Sequence, residues 1–316
     1  MIYKIEIKRS EQFLTLLYIK NMSFRDFIFS YINFFDFYLK GFIRYYKHFK
    51  NFFSVTMRVV ANKYPIHVVL KNGTRITLNG RFEVASIALG FDNYIINDEI
   101  LVIKNKLGKI KLLHGAQNGD PIGVFFEEVY KMCPVEDQTI IDVGANIGDS
   151  SIYFALRGAK KIIAIEPFPA NYELAKKNIE LNNLEKIIDI NLAGCSNKSG
   201  YLTVDNKTSG GGASLTSSLI GTKIPLITLE NILKQNNLNS AILKMDCEGC
   251  EYDSILKTNN EIIKKFSSII IEYHNGYQNL IEKLESCGFQ IEKTSPMYYS
   301  HYYIGYIYAK KINQNL

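Results

Sequence analysis

The feature that most constrains the fold is a strict alternation of apolar runs with helical segments from Thr139 onward. Seven runs rich in Ile, Val and aromatic residues are predicted as strands: TIIDVG (139–144), KIIAIEP (161–167), IIDINLAG (187–194), AILKMD (241–246), SIIIEYH (268–274), GFQIEKT (288–294) and HYYIGYIYAK (301–310). This alternation predicts an α/β fold with a parallel, doubly wound sheet covered by helices on both faces. The last two runs predict an antiparallel hairpin at the sheet edge.

The sequence before this domain changes character twice. We predict a sheet domain at residues 121–316, a β-rich subdomain at 57–120 and a basic, aromatic helical region at 1–56. In the subdomain, two pairs of β-rich runs flank Lys71-Asn72-Gly73 and Leu107-Gly108, which is typical of hairpins. A helical pattern, GVFFEEVYKM, opens the sheet domain.

Aromatic residues dominate the helical region. They recur at alternating steps of four and three, which predicts a helical stripe formed by Phe24, Ile28, Tyr31, Phe35, Tyr38, Phe42, Tyr45, Phe49 and Phe52. We expect the stripe to pack on the protein's own body, with a lipid surface or a partner helix as alternatives, and Gly41 to bend or divide the helix. No stretch of about 20 residues lacks charge, which argues against a membrane span.

Charge and cysteine content indicate the cellular location that we expect for the protein. The first 60 residues hold ten basic and four acidic side chains, so this region accounts for the formal net charge of +6. Charges at Lys4, Lys8, Arg9 and Glu11 interrupt any apolar leader segment. The five cysteines are scattered, and we expect reduced thiols and a cytoplasmic location, with the inner membrane surface as the alternative place.

The first strand ends in a glycine-rich turn, DVGANIGDSS (142–151). In an open α/β sheet the ligand binds outside the carboxyl ends of the strands, and Gly144 and Gly148 let the turn approach it closely. The helix that follows directs backbone NH groups at an anionic group. Asn146 stands where a dinucleotide-binding turn has its second glycine, which favours a smaller carboxylate, such as the methionine end of S-adenosylmethionine, over a pyrophosphate.

The next two strand ends complete the predicted cofactor site. Glu166 ends the second strand, where a carboxylate accepts hydrogen bonds from ribose hydroxyls, and is followed by Pro167 and Phe168. The third strand ends in the small residues Ala193 and Gly194, which suit an adenine lying against the backbone.

Acidic residues and one histidine follow strands four and five. Because parallel strands end at the same edge, these side chains are predicted to converge at one rim: Asp246, Glu248, Glu251, Glu272 and His274. We predict that His274 is the general base for a hydroxyl acceptor and that Asp246 or Glu272 orients it. A divalent ion held by Asp246, Glu272 and His274 is the alternative, which we do not favour.

Two further motifs lie near these strand ends. Cys247 and Cys250 have redox or metal spacing, but no second pair accompanies them, so a thiolate metal site is not expected. The run Ser209-Gly210-Gly211-Gly212-Ala213 is predicted to be a mobile loop near the acceptor site.

The chain resembles the FkbM family of class I methyltransferases in four segments that occur in order: IIDVGANIGDSSIYFALRGAKKIIAIEPFPANYELAKKNIELNN, ITLENIL, LKMDCEGCEYDSIL and IIIEYH. The resemblance covers about residues 120–300. It implies a seven-stranded Rossmann-like sheet, S-adenosylmethionine as donor, and O-methylation of a sugar, a lipid-linked glycan or a small metabolite.

The resemblance also implies site residues. For the cofactor it points to Asp142, Gly144, Asn146, Gly148, Asp149, Ser150 and Glu166. For the acceptor it points to Asp246, Glu248, Glu272 and His274. The two cysteines in the strand-four motif depart from the family pattern, in which small aliphatic residues are commoner.

Three other functions stay open. The basic N-terminal region favours an RNA methyltransferase, but the chain has no Asn-Pro-Pro-aromatic signature and no recognisable RNA-binding module, so nucleic acid is not favoured as a partner. A nicotinamide-dependent oxidoreductase would need glycine at Asn146. A membrane-surface scaffold would keep the fold without the activity. We therefore expect a small-molecule, glycan or lipid acceptor, with membrane contact or self-association through the aromatic helix as a further role.

Overall fold

The computed structural model of the protein describes residues 38–78, 80–90, 94–97, 100–113, 120–206, 208, 217–299 and 302–312. Its strands, numbered along the chain, are β1 Ile66–Val69, β2 Arg75–Leu78, β3 Tyr94–Asn97, β4 Ile100–Asn105, β5 Gly108–Leu113, β6 Thr139–Val143, β7 Lys161–Glu166, β8 Ile188–Leu192, β9 Gly194–Cys195, β10 Gly200–Val204, β11 Thr222–Ile227, β12 Ala241–Met245, β13 Phe266–Tyr273, β14 Phe289–Lys293, β15 Met297–Tyr299 and β16 Tyr302–Lys311. Helices span residues 38–48, Phe52–Val60, Arg81–Gly90, Asp120–Ile122, Asp149–Leu156, Pro169–Leu181, Leu229–Gln235, Cys250–Lys257, Asn260–Ile263 and Gln278–Ser286, and a π-helical turn spans Gly123–Glu127.

The main sheet has the strand order β14-β16-β13-β12-β6-β7-β8, and β15 pairs with β16 beside this path. Strands β13, β12, β6, β7 and β8 are mutually parallel, whereas β16 runs antiparallel to both β13 and β14. The order reverses at β6, since β7 lies on one side and β12 on the other, which places a ligand crevice at the end of β6. The predicted doubly wound sheet and its antiparallel edge hairpin are confirmed.

The two faces of this sheet belong to two separate apolar clusters. Ile140 and Ile162 lie in one cluster, which also holds residues of the N-terminal hairpins and of the helices Asp149–Leu156 and Pro169–Leu181. Their chain neighbours Ile141 and Ile163 lie in the other, with the helices Leu229–Gln235 and Gln278–Ser286. Successive side chains of a strand point to opposite faces, so uninterrupted isoleucine runs supply both clusters at once.

The two predicted hairpins are confirmed in the N-terminal part of the chain. Strands β1 and β2 pair antiparallel, as do β4 and β5, and β3 adds to β4. The amides of Lys111 and Leu113 on β5 donate to the side-chain oxygens of Asn182 and Asn178, at 2.9 and 2.7 Å. The β4–β5 hairpin is thereby fixed to the helix Pro169–Leu181, while the boundaries at 56/57 and 120/121 remain predictions.

The aromatic stripe packs partly on the protein itself. Its first part, residues 24–37, lies outside the described residues. The helix 38–48 runs through Gly41 without interruption, so the predicted division does not occur there. The helix ends instead where Phe49 forms a bridge with Leu70. Tyr45 and Phe49 are buried in the core, as expected.

Several local predictions were wrong or incomplete. The helical pattern after Asp120 gives only a short α-helix and a π-helical turn, because Glu128 adopts a left-handed conformation (φ 53°) that ends the turn. The helix Arg81–Gly90 lies within the region predicted to be β-rich, and the three-stranded sheet β10-β11-β9 was not expected. The glycine-rich loop at 209–213 lies outside the described residues. Among the helices that the structure describes, none has the length and apolarity needed to cross a membrane.

Candidate active site

The turn after β6 is held against the end of β12. Gly144 has φ 79°, and a Cβ at this position would lie 1.8 Å from the carbonyl oxygen of Asp246. Gly148, with φ 84°, precedes the helix Asp149–Leu156. The close neighbour that requires glycine at position 144 is therefore the protein's own backbone. The turn joins the two halves of the site, one beside β7 and the other beyond β12.

Asp142 supports this turn from inside the sheet. Its carboxylate is fully buried, accepts hydrogen bonds from the hydroxyls of Ser150 and Ser151 at 2.7 and 2.6 Å, and pairs with the Lys244 ammonium at 3.1 Å. Lys244 also donates to the carbonyl oxygen of Gly144 at 2.8 Å. Burial disfavours the ammonium charge, but the carboxylates of Asp142 and Asp246 outweigh it and raise the pKa of Lys244. Asp142 and Ser150 therefore support, from the sheet side, the cofactor cradle, which is formed by the turn at residues 142–151 and by Glu166.

Glu166 lies at the rim of the same turn. Its carboxylate accepts the backbone NH of Asn146 at 2.8 Å and that of Phe168 at 3.0 Å. Burial raises the pKa of Glu166 to about 7, although these hydrogen bonds oppose the shift. Ala193 is buried beside it and donates its NH to the Glu166 carbonyl oxygen at 3.2 Å, and Gly194 follows in β9. The predicted ribose and adenine positions therefore adjoin, with Pro167 between Glu166 and Phe168.

Two buried oxygens in the cradle have no hydrogen-bond partner among the described residues: Oδ2 of Asp149 and Oδ1 of Asn146. Burial, and next the charge of Asp120, raise the pKa of Asp149 to about 8. A cation bound in this cradle would lower that pKa, because it favours the ionised carboxylate. The cradle is therefore suited to a ligand that brings hydrogen-bond donors and positive charge.

Asp120 is a site residue that sequence reasoning missed. Its carboxylate accepts a hydrogen bond from the side-chain amide of Asn146 at 2.8 Å. Burial raises the pKa of Asp120 to about 6, and the charges of Asp246 and Glu248 contribute to the shift. Asp120 thus stands between the cofactor turn and the acidic rim, although it precedes the sheet in the sequence.

The acidic rim surrounds His274. Nδ1 of His274 lies 3.0 Å from Oε1 of Glu251, and Nε2 lies 3.4 Å from Oε2 of Glu248 and 3.9 Å from Oδ1 of Asp246. Glu251 is fully buried and its other oxygen accepts the NH of Gly249 at 3.0 Å. The predicted convergence of these side chains is observed, but the residue that orients the imidazole is Glu251, whereas we expected Asp246 or Glu272.

The charge state of His274 also differs from the expectation. Burial lowers its pKa, but the hydrogen bond that the imidazole donates to Glu251 and the charges of Asp246, Glu251 and Glu248 outweigh burial and raise the pKa to about 10. The imidazole therefore carries its proton at neutral pH when only protein groups surround it. In that state His274 serves as a positive partner of the carboxylates and has no free nitrogen to accept a proton.

Glu272 interacts electrostatically with Asp246. Burial, and next the charge of Asp246, raise the pKa of Glu272 well above its ordinary value, while a hydrogen bond with Tyr306 opposes the shift. The hydroxyl of Tyr130 points at Oδ2 of Asp246 at 3.5 Å, and the Tyr130 and Tyr306 rings pack edge to face. Two tyrosines, neither predicted from the sequence, therefore wall the acidic rim.

Cys247 and Cys250 form a disulfide, which corrects the expectation of reduced thiols for this pair. Cys133, Cys195 and Cys287 are free and buried. The bonded pair encloses Glu248 and Gly249, both in left-handed conformations, and Sγ of Cys247 lies 3.2 Å from Oε2 of Glu251. The cross-link therefore constrains the loop that presents Glu248 to His274.

One family model and one known protein match parts of this chain. Residues 142–291 match the family model described as a methyltransferase FkbM domain. Methyltransferase 1 of Beauveria bassiana is 32% identical over 66 residues, which are 20% of this chain and 26% of that protein, so the match spans about a quarter of the relative's length.

Solved structures with similar folds include two methyltransferases. Precorrin-6y C5,15-methyltransferase from Geobacter metallireducens has 14% identity and a TM-score of 0.36, with 58% of this chain and 85% of that chain covered. The tRNA m1G37 methyltransferase of M. jannaschii has 19% identity and a TM-score of 0.39, with 77% of this chain and 59% of that chain covered. The fold itself is established by the strand order of the sheet.

Proposed function

We propose that the protein transfers a methyl group from S-adenosylmethionine to a hydroxyl group, since residues 142–291 match the methyltransferase FkbM domain. The observation that carries the proposal is the backbone contact between Gly144, in the turn after β6, and Asp246, at the end of β12. The turn at Gly144 leaves no room for a side chain against Asp246, so the cofactor cradle adjoins the acidic rim.

The residues of the cradle fit this cofactor. S-adenosylmethionine offers an ammonium, a positively charged sulfonium and ribose hydroxyls. The cradle offers the two buried acceptors without partners, on Asp149 and Asn146, and the Glu166 carboxylate. A dinucleotide would instead place its pyrophosphate beside Asp120, whose carboxylate repels it. The carboxylates therefore favour S-adenosylmethionine over a nicotinamide cofactor.

When bound, S-adenosylmethionine supplies an electrophilic methyl group. The acidic rim supplies what a hydroxyl acceptor needs, since proximity and removal of the proton are the main requirements of this transfer. Asp246, Glu248 and Glu272 accept hydrogen bonds from the acceptor, and His274 balances their charge. A methyl acceptor with several hydroxyls, such as a sugar, a lipid-linked glycan or a polyhydroxylated metabolite, can donate to these carboxylates and therefore fits the rim best.

Two binding and transfer experiments test the proposal. Calorimetry should show binding of S-adenosylmethionine and no binding of a nicotinamide dinucleotide. Transfer of labelled methyl groups to fractionated cell extract should then label the glycan, lipid or metabolite fraction, whereas label in RNA would support the RNA methyltransferase instead. A Glu166→Ala variant, which retains the acidic rim, provides the background for each fraction.

A substitution in the rim separates chemistry from cofactor binding. His274→Ala should lower turnover with little change in cofactor affinity, because the carboxylates of the acidic rim lose their positively charged partner. Wild-type turnover in this variant would exclude the rim from the reaction.

We also propose that the N-terminal helices contact a membrane surface. Apolar side chains are exposed on them at Phe53, Met57 and Val60, and Lys40 and Lys47 are exposed on the neighbouring helix. Apolar groups next to lysines are typical of helices that lie on anionic lipid. Cosedimentation with anionic vesicles should fall for Phe53→Glu, and a concentration-dependent dimer without vesicle binding would favour self-association.

A further inference from the structure

We infer that Asp246, Glu248 and His274 form a binding site for one divalent cation. The atoms that would ligate it are Oδ1 of Asp246, Oε2 of Glu248 and Nε2 of His274, and all three lie within 4.8 Å of one another. Ligands about 2.0–2.6 Å from an ion are separated by about 3 Å when adjacent and by about 4–5 Å when opposite. The spacings of 3.4 and 3.9 Å around Nε2 fall in this range.

The imidazole is oriented as a metal ligand requires. The residue is buried, and Nδ1 is engaged by Glu251, so that Nε2 is the atom directed at the two carboxylates. A carboxylate on the far nitrogen fixes the tautomer and makes the other nitrogen a better ligand. Glu251 is therefore a positioning residue. Its own second oxygen is held by the Gly249 backbone, which fixes the orientation of the whole group.

The site has more carboxylates than positively charged groups, which favours a bound cation. Asp246, Glu248 and Glu251 surround one imidazole, and Asp120 and Glu272 interact electrostatically with Asp246. The nearby Lys244 ammonium contacts Asp142 and the Gly144 carbonyl oxygen, on the sheet side of the turn. A divalent ion in place of the Nε2 proton would add one positive charge where the carboxylates meet.

The ligand set indicates the kind of ion. Carboxylate oxygens suit Mg²⁺ and Mn²⁺, and an imidazole nitrogen shifts the preference toward transition metals, so Mn²⁺ fits both. Three protein ligands leave further coordination positions open to the acceptor. The ion site rests on its own geometry, whereas its use in methyl transfer rests on the proposed function.

In that use, the ion polarises the acceptor hydroxyl. The hydroxyl oxygen forms the new bond to the methyl carbon, the carbon–sulfur bond of the sulfonium breaks, and its electron pair stays on sulfur. The hydroxyl proton is released to a solvent water. An acceptor with two adjacent hydroxyls, as in most sugars, can occupy two of the open positions.

The test measures Mn²⁺ binding to the purified full chain, and the free ion is quantified by electron paramagnetic resonance. Wild type should bind one Mn²⁺, and Asp246→Asn and Glu248→Gln should each weaken binding by at least tenfold. Glu251→Gln should weaken it by about 10–100-fold through the orientation of His274. The matched control is Glu261→Gln, since Glu261 pairs with Lys264 on the surface.

Cofactor binding, measured on the same samples, separates the two proposals and checks folding. A chain that binds S-adenosylmethionine but no Mn²⁺, or whose Mn²⁺ binding is unchanged in both ligand variants, overturns the ion site and leaves the proposed function intact. A chain that binds Mn²⁺ but not S-adenosylmethionine overturns the proposed function and leaves the ion site intact. Loss of Mn²⁺ binding in variants that still bind the cofactor supports the site.

Discussion

The backbone of Gly144 lies so close to that of Asp246 that a Cβ on the glycine would sit 1.8 Å from the Asp246 carbonyl oxygen. This contact joins the ends of β6 and β12, one leading into the cofactor turn and the other into the acidic rim. The spacing between the turn after β6 and the acidic rim is therefore set by two backbones and does not depend on a flexible side chain.

Gly144→Ala should destabilise the fold by about 3 kcal/mol, because it combines a left-handed backbone with a steric clash. Urea unfolding measures the loss. Gly288→Ala is the matched control, since Gly288 has φ 85° and no atom near its missing Cβ, so it should lose only the backbone part, about 1 kcal/mol. Equal losses in the two variants would show that the contact with Asp246 is unimportant.

Affinity for S-adenosylmethionine should rise as the pH increases through about 7. Burial raises the pKa of Glu166 to about 7, so the carboxyl is largely protonated below this pH and cannot accept both ribose hydroxyls. Glu166→Gln should remove this pH dependence and weaken binding at pH 8 by about 1–3 kcal/mol. Calorimetry from pH 6 to 8 measures both effects.

The same shift has a consequence for stability. The pKa of Glu166 in the folded protein lies above its ordinary value of 4.5, so the protonated carboxyl favours folding below about pH 4.5 and this contribution is lost as the pH rises to about 7. The control for the cofactor-binding experiment is Glu173→Gln. Glu173 is exposed on the helix Pro169–Leu181, so this variant should keep the wild-type pH dependence of S-adenosylmethionine binding. A wild-type profile in Glu166→Gln would remove this residue from the cofactor site.

Lys244→Met should destabilise the protein by about 3–5 kcal/mol, because it leaves the Asp142 carboxylate buried without its counter-ion. Asp142→Asn combined with Lys244→Met should be more stable than Lys244→Met alone, since both charges are then absent. Urea unfolding of the two single variants and the double variant gives the coupling free energy. Additive losses would mean that the two groups do not interact.

Removal of the Cys247–Cys250 disulfide should lower turnover while leaving S-adenosylmethionine affinity within about twofold. The cross-link constrains the loop that carries Glu248 but does not touch the cradle around Glu166. Paired substitution by serine, or treatment of wild type with reductant, should give the same result. Cys287→Ser serves as the control, because this cysteine is free and follows the end of the helix Gln278–Ser286. Unchanged turnover would show that the loop keeps its shape without the bond.

The sheet and the meeting of the strand ends follow from the sequence, because parallel strands place their carboxyl ends at one edge wherever the turns allow. Glu166, Asp246, Glu272 and His274 could be located in this way. The pairing of His274 with Glu251 could not, since it depends on how the loop after β12 turns back at Gly249.

Two other contributions lack a local signal. Asp120 belongs to a short helix before the sheet and reaches the site only because that helix packs near Asn146. Lys244 lies within an apolar strand, and its burial becomes intelligible only when β6 brings Asp142 alongside it in the register. Both depend on contacts between segments distant in sequence, which residue patterns do not record.

The position of Asp120 has a thermodynamic consequence. Its carboxylate bonds to Asn146 in the cofactor cradle and interacts electrostatically with Asp246 and Glu248 in the rim. A cofactor that changes the charge or position of the Asp120 carboxylate therefore changes the affinity of the rim for the acceptor. Linkage requires that the acceptor changes the affinity for the cofactor by the same factor. Donor and acceptor are therefore expected to bind cooperatively, and Asp120→Asn should bring the coupling factor measured by calorimetry close to one.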